Sequence, residues 1–261
     1  MPATPRPRKP EWPPRSAPRL FVDTELGQGR HLSIEGNQAH YLGKVMRIKT
    51  GDTVILCDNM TGEWAARAHE VAKRSVALEV IERLRPREEV PDFWLCAALL
   101  KKDRFDMVLE KATELGAARI QPVITRRCVA DKLNLDRARS IVTEAAEQCA
   151  RTALPEIFEP VKLDALLAEW PQDRALFFAD ELGGEPAVAG FSAHSGPAAL
   201  LIGPEGGFDQ SEREAIHSLH QARAITLGPR ILRGETAAVA GTALWMGTVG
   251  DWRKNAMTGR E

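Results

Sequence analysis

From Phe93 onward, apolar runs of strand length alternate with amphipathic stretches of helix length. That alternation restricts the second part of the chain to an α/β domain with a largely parallel sheet. Phe93 to Leu100 is a continuous apolar run, as a strand covered on both faces requires. Asp103 is placed to cap a helix whose Phe105, Val108, Leu109, Ala112 and Leu115 share one face, and Gly116 ends it. Further strands are expected at Arg119 to Thr125, Ile157 to Val161, Ala175 to Asp180, Pro197 to Gly203 and Ala224 to Gly228. Helices are expected at Leu135 to Arg151, Leu163 to Trp170 and Ser211 to His220, where Ser211 and Glu214 have the spacing of a capping box. A last helix is expected over Glu235 to Trp252.

Before Phe93 the pattern is different. Short β-like segments run from Leu20 to Asp23, His31 to Glu35, Asp52 to Asp58, Glu63 to Val71 and Ser75 to Leu84, and Val76, Leu78 and Val80 alternate with less apolar residues. With a short helix over Gln38 to Arg47, this part reads as a small β-barrel. The change of regime falls in Arg85-Pro86-Arg87-Glu88-Glu89-Val90-Pro91, whose prolines and charges suit a linker. The expected organisation is therefore an arm over 1–18, a barrel over 19–86, an α/β domain over 91–252 and a flexible tail over 253–261. Residues 1–19 hold seven prolines and five arginines or lysines against one acid, the composition of a disordered basic arm.

That arm lacks the apolar stretch of a secretory signal, and no apolar run is long enough to span a bilayer, so a cytoplasmic protein without a membrane partner is expected. Cys57, Cys96, Cys128 and Cys149 show no CxxC spacing and read as buried, reduced thiols. His217 and His220 share a helical face at i, i+3, but their neighbours are those of a solvated helix, so no metal site is expected. The formal charge of −1 excludes nucleic-acid binding by bulk electrostatics, and any RNA has to meet local basic patches.

Ligands of an open α/β sheet collect where strands run into helices at the carboxyl edge. Two such connections are unusual. One is Leu200-Leu201-Ile202-Gly203-Pro204-Glu205-Gly206-Gly207-Phe208; the other is Leu227-Gly228-Pro229-Arg230-Ile231-Leu232-Arg233-Gly234-Glu235-Thr236-Ala237. Glycine lets main-chain groups approach a ligand and proline stiffens the loop, which suits recognition of an adenine edge; a plain strand-to-helix turn uses the same residues. No GxGxxG follows a strand and no GxxxxGK[ST] occurs, so a dinucleotide dehydrogenase or a P-loop enzyme would lack its phosphate cradle.

At these residues the chain closely resembles the RsmE family of 16S ribosomal RNA uridine-N3 methyltransferases, within the SPOUT superfamily. Supporting matches are Lys111-Ala112-Thr113-Glu114-Leu115-Gly116, Glu147-Gln148-Cys149-Ala150-Arg151-Thr152, Arg19-Leu20-Phe21-Val22 and His40-Tyr41-Leu42 through Val45-Met46-Arg47. Gly234 departs from the threonine common there, and Ala39 from a second histidine. The resemblance implies an N-terminal PUA-like β-barrel, a C-terminal SPOUT α/β domain with a trefoil knot, and a homodimer. It implies S-adenosyl-L-methionine as cofactor, with small-subunit ribosomal RNA or the assembled 30S particle as partner.

On the same basis Ile202, Gly203, Pro204, Glu205 and Gly206 of the first loop, with Leu227, Gly228, Ile231, Leu232 and Thr236 of the second, are expected to bind the cofactor. Methylation of uracil N3 needs a deprotonated nitrogen, so Arg233 is the candidate cation and Glu235 the candidate base; an ordinary helix N-terminus also explains a glutamate there. Lys111, Glu114, Gln148 and Arg151 are candidates for the substrate side, as are Arg30, His40 and Arg47 of the barrel, although solvated or salt-bridged surfaces use the same residues. Two other activities share these features: ribose 2′-O-methylation, and non-catalytic RNA binding during ribosome assembly. The last helix is expected to form the dimer interface, because Ala238, Gly241 and Thr242 allow close approach and Leu244, Trp245, Val249 and Trp252 add apolar area.

Overall fold

A computed structural model describes residues 12–14 and 16–253. The arm expected over 1–18 therefore lies largely outside the described residues, and the tail expected over 253–261 does so beyond Arg253. The described chain forms two compact units. One takes the residues up to Glu88 together with Ala150–Ala153; the other takes Glu89–Cys149 and the residues from Leu154 onward.

The first unit is a five-stranded sheet with one short helix: β1 (Arg19–Phe21), β2 (His31–Glu35), α1 (Gly36–His40), β3 (Thr53–Cys57), β4 (Gly62–Val71) and β5 (Ser75–Pro86). The strand order is β1-β3-β4-β5-β2, antiparallel except where β1 joins β3. Val76, Leu78 and Val80 of β5 all face the core, as their period of two requires. The helix expected over Gln38 to Arg47 starts earlier, at Gly36, and widens into a π-helical turn over Tyr41–Val45. Asp58 fastens the β3–β4 turn, accepting from the amides of Met60, Thr61 and Leu26 at 2.7 to 2.9 Å and from Thr61 Oγ1 at 2.6 Å. Glu88 draws Ala150–Ala153 into this unit, accepting from the amides of Thr152 and Ala153 at 2.6 and 3.0 Å.

The second unit is an α/β layer structure. Its elements are β6 (Phe93–Ala98), α2 (Lys102–Leu115), β7 (Arg119–Ile124), α3 (Leu135–Cys149), β8 (Glu156–Ile157), β9 (Val161–Lys162), α4 (Leu163–Ala168), β10 (Ala175–Ala179), β11 (Glu185–Pro186), α5 (Ala187–Ser192), β12 (Ala198–Ile202), α6 (Gln210–Ser218), β13 (Ala222–Thr226) and α7 (Gly234–Thr248). All described pairings are parallel, in the order β11-β13-β10-β12-β6-β7-β8, with β9 also on β7. Residues of one strand feed two separate cores. Ala198, Leu200 and Ile202 pack with α2, α3 and α7, whereas Ala199 and Leu201 pack with Leu163 of α4 and Ile216 of α6. A sheet covered on both faces is why these strands read as unbroken apolar runs.

Several sequence expectations shift. Asp103 does not cap α2; the N-cap is Lys101, and Asp103 sits in the first turn, where the helix dipole favours an acid. The capping box of α6 is Asp209 with Glu212, not Ser211 with Glu214, so the helix begins one residue earlier. The strand expected over Ile157 to Val161 is two short pieces, and β11 with α5 falls where no element was expected. Cys57 and Cys96 are buried, but Cys128 is only partly so and Cys149 is exposed.

The last helix is also differently used. Ala238, Gly241, Thr242 and Trp245 do not face outward as dimer contacts; they lie in the core of their own unit, with α7 packed against α2, α5, β6 and β12. A Cβ at Gly241 would stand 2.4 Å from Leu200 Cδ2, so its small size serves approach to β12 rather than to another helix. Leu244 and Trp252 remain exposed. Among the described residues no helix is long and apolar enough to cross a membrane.

Candidate functional site

Because β10, β12 and β13 are adjacent and parallel, their carboxyl ends open on one side, and a cleft of about 260 Å³ lies there. Its walls are the residues after β12, the residues after β13 and the start of α7. Ile202, Gly203, Pro204 and Glu205 line one side; Leu227, Gly228, Ile231 and Leu232 line the other. Gly228 has φ +116°, a conformation that only glycine adopts without strain, and a Cβ there would point into open space. Gly207, at φ +66°, lets the first loop turn against Glu181, whose Oε1 would stand 2.6 Å from a Cβ at that position. Ile231 is 90% exposed, an apolar side chain at the cleft that none of the described residues covers.

Charge is distributed unevenly around the cleft. Asp180, directly after β10, is buried and paired with Arg213 of α6; His217 Nε2 lies 3.7 Å from its other oxygen. Glu181 and Glu205 add exposed carboxylates to the lining. Arg230 also lines the cleft, whereas Arg233, at the N-cap position of α7 and without a side-chain cap hydrogen bond, lies beside lining residues Leu232 and Gly234 and not in the lining itself. Both arginines are exposed and neither is held by a carboxylate among the described residues. These are cations still available to a ligand. Among the described residues no group of three His, Cys, Asp or Glu side chains is placed to hold a metal.

The loop after β12 is tied down from two sides. Arg127 Nη1 donates to the Gly206 carbonyl at 2.6 Å, and Arg126 Nη1 to Asp209 at 3.1 Å. From α2, Arg104 Nη1 donates to Glu205 Oε1 at 2.8 Å, while its Nε lies 3.8 Å from Glu235 Oε1.

A family model described as an RNA methyltransferase domain matches residues 87–246, and one described as an RNA methyltransferase PUA domain matches residues 34–81. Ribosomal RNA small subunit methyltransferase E of Bacillus subtilis is 31% identical over 238 residues, spanning 84% of this chain and 92% of its own. The chain belongs to the ribosomal RNA small subunit methyltransferase E family. The Synechocystis member is 32% identical, covering 86% of this chain and 76% of its own. A family member from Neisseria gonorrhoeae, solved bound to S-adenosyl methionine, is 27% identical with a TM-score of 0.83, covering 90% of this chain and 99% of its own. A putative methyltransferase from Legionella pneumophila, solved in complex with the same cofactor, is 29% identical with a TM-score of 0.80 over the same shares. The fold is thus that of the family: a PUA-like N-terminal unit and a SPOUT methyltransferase unit.

Within this family member the other expected site residues are spread more widely. Gly206 and Thr236 do not line the cleft: Gly206 turns toward Arg127, and Thr236 is exposed on the first turn of α7. Glu235 is 7% exposed and packs beside Arg104, again outside the lining. Lys111 holds Glu110 and Glu114 at 2.6 and 2.9 Å on α2, and those hydrogen bonds raise its pKa. Gln148 is exposed near the end of α3. Arg151 is buried in the N-terminal unit, 3.9 Å from Glu88. Arg30, His40 and Arg47 are exposed in that unit, Arg30 donating to Thr24 at 2.9 Å and Arg47 having φ +55°. Asp180, Glu181, Arg213, Arg230 and Arg104 were not expected. Asp180 had a signal, being an acid at the end of a strand; Arg213 and Arg104 had none, since their partners are 33 and 101 residues away.

Proposed function

We propose that this protein transfers the methyl group of S-adenosyl-L-methionine to N3 of a uridine in 16S ribosomal RNA. What carries the proposal is the cleft at the carboxyl ends of β10, β12 and β13, bounded by two glycine- and proline-rich loops, with Arg230 in its lining and Arg233 next in sequence to lining residues Leu232 and Gly234, neither arginine being held by a carboxylate among the described residues. The residues present fit the cofactor. Apolar side chains of Ile202, Leu227, Leu232 and Ala237 line it, Ile231 is left exposed by the described residues, and Gly228 leaves main chain accessible. The family relatives solved with this cofactor support the same assignment.

When bound, the cofactor supplies an electrophilic methyl carbon. The chain's part is to hold an acceptor in line with it and to favour the acceptor's anionic form. If uracil N3 loses its proton about two units above the working pH, forming the anion costs roughly 3 kcal/mol. Arg233, exposed and without a carboxylate partner among the described residues, offers a guanidinium to a uracil carbonyl and offsets part of that cost. N3 lies on the Watson–Crick edge, so the target nucleotide has to be unpaired or extruded. The PUA-like unit holds RNA through Arg30, His40 and Arg47, and Lys111, Glu114 and Gln148 belong to the substrate side.

The protein works in the cytoplasm as a homodimer, its contacts including exposed Leu244 and Trp252 rather than the buried face of α7. The chain forms a trefoil knot, in keeping with β13 returning between β10 and β11 after β12 has formed. Nucleoside mass spectrometry of small-subunit RNA from cells with and without the protein tests the reaction. 3-Methyluridine should disappear without it; unchanged 3-methyluridine, or loss of a ribose-methylated nucleoside instead, would reject the assignment.

A further inference from the structure

Arg104 stands in the first turn of α2 and lines no part of the cleft, yet its guanidinium meets carboxylates from two of the cleft's walls. Nη1 donates to Glu205, in the loop after β12, at 2.8 Å. Nε lies 3.8 Å from Glu235, in the first turn of α7. These two ends of the guanidinium point to different elements, so one side chain spans both.

Glu235 is the deeper partner. Its residue is 7% exposed, and its Oε2 has no hydrogen-bond partner among the described residues. A carboxylate so far removed from water depends on the few opposite charges it has, and Arg104 is its one ion-pair partner among the described residues. The surroundings allow little slack. A Cβ on neighbouring Gly234 would stand 3.0 Å from Leu100 Cδ2 and 3.4 Å from the Gly203 carbonyl, so the start of α7 is already pressed against the first loop.

We propose that Arg104 is a positioning residue: it ties Glu205 to Glu235 and so fixes the separation of the first ligand loop from the N-terminus of α7. Glu235 is the buried anchor of that tie and does not take the proton from the acceptor. The proposal rests on the cleft being the cofactor site, and Arg233, two residues before Glu235, is the group it holds in place. Displacing a reacting partner by about 1 Å can cost about 100-fold in rate, which sets the scale for loosening the tie.

Hydrogen exchange of the protein without cofactor tests the tie directly. In Arg104→Ala, amides 203–208 and the first turn of α7 should exchange faster than in the unaltered protein, while β6 and α3 keep their protection. Calorimetry with S-adenosyl methionine alone should show weaker binding, and kcat/KM should fall about 100-fold. Arg104→Lys, which keeps the charge but reaches one carboxylate at a time, should recover part of both. Glu235→Gln should leave the shape of the kcat pH profile unchanged, and combining it with Arg104→Ala should cost no more than Arg104→Ala alone. Unchanged exchange in both segments of Arg104→Ala overturns the proposal. So does a Glu235→Gln protein that loses one limb of the pH profile, because Glu235 is then the base. If exchange changes as expected but the unaltered protein transfers no methyl group, the tie stands and the assigned reaction falls.

Discussion

Trp245 stacks on Phe93 with ring centroids 4.4 Å apart and planes 26° from parallel, joining the last helix to the first strand of the methyltransferase unit. Both rings are buried, 4% and 0% exposed. Truncating a buried tryptophan costs about 3–5 kcal/mol, and a buried unpaired charge adds to that. Trp245→Glu is therefore expected to unfold the unit rather than split a dimer, seen as loss of the cooperative thermal transition. Trp252→Glu, at an exposed position, should keep that transition and shift the sedimentation coefficient toward the monomer. A folded, monomeric Trp245→Glu would contradict the placement of α7.

Gly228 and Gly206 make contrasting predictions. Gly228→Val forces a branched side chain into φ +116°, at a cost of about 1–3 kcal/mol in loop strain, and should weaken S-adenosyl methionine binding by about tenfold or more. Gly206→Ala should bind the cofactor almost normally, since its Cβ would meet only the Arg127 side chain at 3.4 Å. Calorimetry on the two folded variants decides, and the reverse order of affinities would move the cofactor away from the second loop.

Much of this architecture can be read in the sequence because it rests on local patterning. The period of two in Val76, Leu78 and Val80 and the unbroken apolar β10 and β12 follow from one or two covered faces, and Gly116 ends α2 at φ +102° as a helix C-terminus commonly does. Capping is harder, because Asp209/Glu212 and Ser211/Glu214 offer the same spacing, and the earlier pair is selected where buried Phe208 brings the chain off the sheet. Pairings between distant residues leave no local trace. Asp180 with Arg213, Arg104 with Glu205, and the return of Ala150–Ala153 to Glu88 all depend on topology. The surplus apolar area of α7 misleads for the same reason, since composition does not say how many elements a helix touches.

Acid should loosen the PUA-like unit at Asp58. Burial works to raise its pKa, but the hydrogen bonds from Thr61, Leu26 and Met60 outweigh that and hold it below the usual carboxylate value. Since the folded value is the lower one, this stabilisation is present above about pH 4 and is lost as pH falls through the folded value. Glu63 adds in the same sense: burial opposes, yet its contacts with Arg85 and Arg19 lower its pKa. Asp58→Asn should cost about 1–3 kcal/mol at pH 7 and flatten the acid limb of a stability–pH curve. Equal acid sensitivity in Asp58→Asn and the unaltered protein would contradict this.

Transfer of labelled methyl from S-adenosyl methionine to small-subunit ribosomal RNA, offered as naked RNA and as the assembled 30S particle, tests the central claim most directly when paired with Arg233→Ala. The label should appear in 3-methyluridine, and Arg233→Ala should lower kcat by about 100-fold or more while calorimetry gives an unchanged cofactor Kd. Label in a 2′-O-methylated nucleoside, or an Arg233→Ala protein with full kcat, would contradict the account.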